Sequence, residues 1–322
     1  MKRLKKTTSL VCILALVASM LFSLLSCAFL SPDGAAEDKT TIRIGVMAGP
    51  TGMGMAKLMS DEAQSARYDF RVYSDPSVGV GDLTAENLDM LCLPTNTAAN
   101  LYARSGAKVI AVNTLGTLYL LTSEDVTVRS LADLEGKTVY TSVPSSTTGP
   151  ILRYLLDQAE VSAAIETVAD HDALVAKVAL GEVKIAVLPE PKVTAALLQN
   201  TAYKVALNLS EEWAALSESP LTMGCIVVRD AFLQAHRSLI DAFLGQYEAS
   251  IGFINDPQNL ESAAQMIVDA DVLPKLAVAK KALSNLYGSI AYLDGTAMKT
   301  ALERFYDAIG QTKPDGEFYY AK

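Results

Sequence analysis

The stretch Ile42-Arg43-Ile44-Gly45-Val46-Met47-Ala48-Gly49-Pro50-Thr51-Gly52-Met53-Gly54 decides how the rest of the chain is read. Its first six residues alternate and include β-branched side chains, the pattern of a strand. The segment from Ala48 to Gly54 is rich in glycine, and from Met55 to Ala66 a helical period places Met55, Leu58 and Met59 on one side. Strand, glycine-rich loop and helix together open a unit of the kind that builds parallel sheets.

Toward the C-terminus the alternation continues. Tyr68 to Tyr73, Leu88 to Leu93 and Lys108 to Asn113 read as strands and Ala98 to Ser105 as a helix. After a short helix at Leu131 to Leu134 the pattern starts again, with strands at Thr138 to Thr141, Ile165 to Val168 and Lys184 to Leu188. Helices at Ser145 to Ala159 and Ala173 to Leu180 lie between them. A last strand, Thr222 to Arg229, precedes amphipathic helices at Ala231 to Ile254, Leu260 to Asp269, Leu276 to Leu286 and Gly295 to Ile309. These helices need a sheet to cover, and the first sheet is the one available. The expected fold class is therefore α/β with two lobes, each a mainly parallel sheet flanked by helices. The first lobe is discontinuous, 41–121 and 226–322, and the second, 122–225, is inserted in it.

Toward the N-terminus the chain reads as an address label. Lys2, Arg3, Lys5 and Lys6 precede an apolar run from Leu10 to Leu25 that ends at Ser26-Cys27. The run is short for a membrane span. Residues 1–26 are thus expected to be a lipoprotein signal peptide, Cys27 the lipidated N-terminus, and 27–40 a flexible tether. Lys+Arg 27 against Asp+Glu 36 gives a net charge of −9, and loss of the leader makes it about −13. That balance argues against nucleic acid as a partner. Cys92 and Cys225 sit in apolar runs and read as buried thiols. His171 and His236 stand far apart without acidic or cysteine clusters, so neither a metal nor a cofactor is expected. A monomer is the expected state.

Ligands of open parallel sheets bind where strand ends lead into helices. Gly49, Pro50, Thr51, Gly52 and Met53 form one such loop, whose glycines permit close backbone approach and whose amides open a helix. On that reading, Gly52→Val should abolish binding and leave the fold intact. Thr95 and Asn96 follow an apolar strand and can cap a helix or reach a cleft. Thr114 and Gly116 close the fourth strand. Ser145, Ser146, Thr147 and Thr148 form a hydroxyl cluster at a helix start, more than capping needs. Glu190, between Pro189 and Pro191, can cap the next helix or accept from a ligand. Tyr119, Tyr140 and Trp213 are possible aromatic walls. There is no nucleophile elbow and no carboxylate pair at diagnostic spacing, so an enzyme is not expected.

Three segments carry a resemblance: Ile42 to Gly52, Leu131-Ala132-Asp133-Leu134-Glu135-Gly136-Lys137-Thr138-Val139, and Gly181 to Pro191. They resemble the substrate-binding proteins of nitrate-, sulfonate- and taurine-type ABC transporters, which include receptors for thiamin precursors. The resemblance implies a type II periplasmic-binding-protein-like fold that closes on a small molecule about two hinge crossings. It also implies a permease, with a cytoplasmic ATPase, as partner. The cleft loops contain no Lys or Arg, unlike many sulfonate binders, so a neutral or zwitterionic ligand stands beside an oxyanion. A ligand-sensing or adaptor lipoprotein that keeps the fold without transport is the alternative reading.

Overall fold

The computed structural model describes residues 38–142, 147–217 and 219–322. The leader, Cys27 and the tether as far as residue 37 lie outside the described residues. Thr40–Lys322 form one compact unit, and its hydrophobic clusters draw only on residues within it. No helix among the described residues is long and apolar enough to cross a membrane.

The unit is built on two sheets. The first contains β1 (Ile42–Met47), β2 (Tyr68–Tyr73), β3 (Met90–Pro94), β4 (Lys108–Leu115), β10 (Thr222–Val228) and β11 (Ile290–Leu293) in the order β11-β4-β10-β3-β1-β2. The second contains β5 (Leu118–Ser123), β6 (Thr138–Ser142), β7 (Ala164–Val168), β8 (Ile185–Pro189) and β9 (Tyr203–Asn208) in the order β7-β6-β8-β5-β9. Three strands of each sheet run parallel, β2-β1-β3 and β7-β6-β8. The antiparallel neighbours include the two strands that join the lobes: β5 runs against β8 and β9, and β10 against β3 and β4. A strand that arrives from the other lobe enters its sheet from the opposite end, and so runs against its neighbours.

This arrangement corrects the expected seams. Boundaries at 121/122 and 225/226 fall inside β5 and β10, and a strand paired along its length belongs to one sheet only. The chain therefore changes lobes at Gly116-Thr117 and again just before Thr222. β5 goes unread in the sequence because Leu118 to Leu121 is continuously apolar and only two residues separate it from β4. The expected helix 231–254 is two, Asp230–Ala235 and Arg237–Ile254, broken at His236.

Ile42, Ile44 and Val46 of β1 pack with Phe243, Leu244 and Tyr247 of the helix Arg237–Ile254 on one face of the first sheet. The core on the other face runs through both lobes, joining Leu91, Leu93 and Val227 to Leu120, Val139 and Leu152. Trp213 is fully buried in it, with ring centroids 4.8 Å from Tyr154 and 6.0 Å from Phe305, and is a core residue. Cys92 and Cys225 are free thiols on adjacent strands. Cys92 opposes Ile226 while Cys225 opposes Leu93, so their side chains point to opposite faces of the sheet and into different cores. A disulfide between them would have to pass through the sheet.

Asp89, 1% exposed, ties three strands at the far end of the first sheet. Its carboxylate accepts from Arg43 N and Nε, each at 2.9 Å, and from Arg229 Nη2 at 2.8 Å. Burial pushes its pKa up, but the bonds from Arg43 and Arg229 outweigh this and hold it below the ordinary carboxylate value. Asp89→Asn is expected to cost about 2–3 kcal/mol at pH 7 by chemical denaturation. A depressed folded pKa gives stability that is present above the unfolded pKa and lost as pH falls through the folded one. Wild type and variant should therefore converge in acid, and parallel curves would show that the charge contributes nothing.

Gly52 corrects the expectation for Gly52→Val. A Cβ there would lie 2.1 Å from the Met47 carbonyl oxygen and 2.8 Å from Val46 Cγ1, inside the packing of the loop on β1. Gly52→Val should lower the melting temperature severely or prevent folding. A variant that melts like wild type but no longer binds would refute this packing role.

Candidate functional site

The carboxyl ends of β1 and β3 in one lobe face those of β6 and β8 in the other across a cleft of about 770 Å³. Pro50 and Thr51 follow β1. Asp75 and Ser77 follow β2 and open the helix Pro76–Thr84, and Thr97, Asn100 and Arg104 lie along the helix Thr95–Ser105. The second lobe contributes Ser142 and Thr147 before the helix Thr148–Gln158, Asp170 and His171 at the start of the helix His171–Leu180, and Glu190. Thr114, Thr117 and Met223 line it beside the crossings.

The carboxylates of this wall are engaged within the protein. Asp75 caps its helix, accepting from Ser77 N and Oγ, each at 2.8 Å, and these bonds hold its pKa low. Asp170 accepts from Ala173 N at 2.7 Å. Glu190, 1% exposed, accepts from Thr194 N at 3.1 Å, Thr194 Oγ1 at 3.0 Å and Asn285 Nδ2 at 2.7 Å. Burial raises its pKa, with the Asn285 and Thr194 bonds opposing. The Glu190-Pro191 peptide is cis.

The imidazole of His171 stands apart. Its Nδ1 is buried and has no hydrogen-bond partner among the described residues. Burial, and secondarily the charge of Lys192, push its pKa below the ordinary histidine value, so the ring is neutral at pH 7. It lines the cleft with Arg104, Thr114, Thr117, Ser142 and Thr147, of which the guanidinium can only donate while the neutral ring and the hydroxyls can donate or accept. Among the described residues no three His, Cys, Asp or Glu side chains are placed to hold a metal.

Of the residues singled out in the sequence, the structure brings Pro50, Thr51, Thr114, Thr147 and Glu190 together on this cleft. Gly49 and Gly52 form the backbone of the turn below it, Gly49 with φ 98°, a conformation that favours glycine. Met53 is buried in the first-lobe core and does not face the cleft. Thr95 is also buried: its hydroxyl donates to the Thr222 carbonyl at 3.1 Å, and its own carbonyl accepts from Tyr306. The Asn96 carbonyl accepts from Gln311 Nε2 at 2.9 Å, on the side of the C-terminal tail. Gly116 lies at the first crossing, its carbonyl accepting from Ser289 Oγ at 2.7 Å. Thr148 is buried at the start of its helix, and Ser145 and Ser146 lie outside the described residues. Tyr119 and Tyr140 pack against the second-lobe core.

Sequence reasoning missed His171, Asp75 with Ser77, and Arg104. The first two carried a signal: Asp170-His171 and Asp75-Pro76 each pair a capping aspartate with a helix start, and the proline belongs at the first helical position. Arg104 carried none, since it reaches the cleft from the last turn of its helix.

No curated protein matches the chain in sequence. Solved structures do match in fold. An ABC transporter from Parabacteroides distasonis is 20% identical, with a TM-score of 0.72 over 88% of this chain and 99% of that one. The periplasmic aliphatic sulphonate binding protein SsuA from Escherichia coli is 16% identical, with a TM-score of 0.69 over 87% and 92%. The ligand binding component of an ABC-type import system from Staphylococcus aureus, solved with zinc bound, is 12% identical, with a TM-score of 0.66 over 84% and 91%. The family model described as "ABC transporter, phosphonate, periplasmic substrate-binding protein" matches residues 54–269, more than half of the chain. The chain therefore belongs to that family, the extracytoplasmic binding components that capture a small molecule for an ABC permease and do not convert it.

Proposed function

We propose that the cleft captures a small organic oxyanion of the phosphonate or sulfonate class for import. The observation that carries this reading is the state of the cleft's polar groups. Asp75, Asp170 and Glu190 are each bonded within the protein, whereas the buried Nδ1 of His171 has no partner and Arg104 lies on the same cleft. A guanidinium on the cleft, beside carboxylates already held within the protein and an imidazole whose protonated form an anion would stabilise, favours an acceptor-rich, anionic ligand. The family match and the sulphonate-binding neighbour support the same class. In this reading Thr51 supplies a hydroxyl from the first lobe and Thr147 one from the second, and the sequence offers Ser145 and Ser146 as further ligand hydroxyls. The seams and crossings let the lobes close over the ligand as a hinge. The basic leader, apolar run and Ser26-Cys27 support lipidation of Cys27, which would hold a monomeric receptor at the membrane.

Calorimetry and thermal unfolding with methylphosphonate, 2-aminoethylphosphonate, taurine, methanesulfonate, nitrate, amino acids and a thiamin pyrimidine test the ligand class. A phosphonate or sulfonate at about 100 times its Kd should raise the melting temperature by about 5–10 °C. A shift with only the neutral heterocycle would overturn the oxyanion reading, and no shift at all would favour sensing. His171→Ala should weaken binding about tenfold. Because an anion stabilises the protonated ring, binding takes up a proton and should tighten as pH falls from 7.5 to 5.5 toward the lowered His171 pKa. A sulfonate, which keeps its charge over this range, is the clean probe, and the pH dependence should flatten in His171→Ala. For the anchor, radiolabelled fatty acid should enter the full chain and be lost in Cys27→Ser; equal labelling would place the lipid elsewhere.

A further inference from the structure

Asn285 joins the lobes through Glu190, a residue of the cleft wall. Asn285 ends the first-lobe helix Leu276–Asn285. Its side-chain amide donates to Glu190 Oε1 at 2.7 Å and lies 3.5 Å from Thr194 Oγ1. Its main-chain carbonyl accepts the Tyr119 hydroxyl at 3.2 Å. All three partners belong to the second lobe, Tyr119 on β5 and the others after β8. Four residues further on, Ser289 holds the crossing itself: its hydroxyl donates to Gly116 O and its carbonyl accepts from Leu115 N, both at 2.7 Å. The segment 285–289 is thus a strap, one end on the crossing strand and the other on the opposite lobe.

We propose that Asn285 is a positioning residue and lobe latch: it holds Glu190 in the cleft wall and sets how much of the protein keeps its lobes together before ligand arrives. The inference rests on the reading of this cleft as the capture site. Glu190 forms no ion pair among the described residues, and Lys281 acts on it only through its charge from the same helix as Asn285. Three neutral donors therefore hold a buried carboxylate, and two of them, from Thr194, move with it. Asn285 is the donor that any relative motion of the lobes must carry away, leaving water to replace a bond to a charged oxygen. The fraction of protein with the latch made scales the apparent affinity for any ligand that needs both lobes.

The test is an inter-lobe distance in the Thr40–Lys322 unit, dialysed and without added ligand. Spin labels at Gln64→Cys and Glu166→Cys, both exposed, report on edges of the two sheets far from the crossings. Cys92 and Cys225 are fully buried and stay unlabelled. Wild type should give one short distance. Asn285→Ala should add a longer one, shifting the ratio about tenfold, and Asn285→Asp should do so more strongly by setting two carboxylates against each other. The pair Asn285→Asp with Glu190→Gln rebuilds the bond with its polarity reversed and should restore the short distance. Distributions of the single variants that superimpose on wild type, or a pair that stays open, would overturn the latch. Should Asn285→Ala not fold, Tyr119→Phe removes the second bond more gently; it should shift the ratio in the same direction, and an unchanged ratio counts equally against the proposal. Because no ligand enters this measurement, failure of the panel above would sink the capture reading without touching the latch.

Discussion

The fold depends on one strand finding its place. β10 lies between β3 and β4 and hydrogen-bonds to both, yet the whole second lobe separates it from them in sequence. Until it returns, the first sheet is two separate pieces, β2-β1-β3 and β4 with β11. Its insertion closes the buried core on both faces and at once fixes where the chain leaves the second lobe. The far end of the same strand is held through Arg229, which bonds the buried Asp89 and, by way of it, Arg43 on β1. Hinge, sheet and ion network are consequences of one pairing, and the long loop it closes carries the entropic cost of any non-local contact.

That topology also explains the chemistry of the cleft. Parallel strands in both lobes end at the same crevice, so each delivers a loop and a helix start to it. Two capping aspartates satisfy their own helices and Glu190 is bonded across the lobes, so negative charge facing the cleft is already engaged. What lines the cleft beside them is hydroxyls, an imidazole nitrogen and a guanidinium. A binding component that captures and releases needs such a wall more than it needs a reactive group, and a wall split between two lobes makes affinity depend on their closure.

Much of this could be read from residues alone. The alternation beginning at Ile42, the restart after Leu131 and the return to helices after Arg229 give two lobes, one inserted, because periodicity is local and buried parallel strands are apolar. What escaped was long-range. The seams moved by several residues because only pairing shows that Leu118–Ser123 and Thr222–Val228 are committed strands. Loops following strands were the right places to look, but the direction of each side chain was not legible. Met53 and Thr95 turn inward to the core, while Arg104 reaches the cleft from the last turn of its helix. His171 is legible by the rule applied to the other loops, since Asp170 caps the helix that it opens.

The central claim is that an oxyanion sits between the lobes, donated to from both. A crystal structure of the Thr40–Lys322 unit grown with saturating methylphosphonate tests it most directly. The account predicts the phosphonate oxygens within hydrogen-bond distance of His171 Nδ1 and Thr147 on one side and of first-lobe donors near Thr51 on the other. An empty cleft at saturation, or an anion held by one lobe alone with His171 still unpartnered, would contradict it.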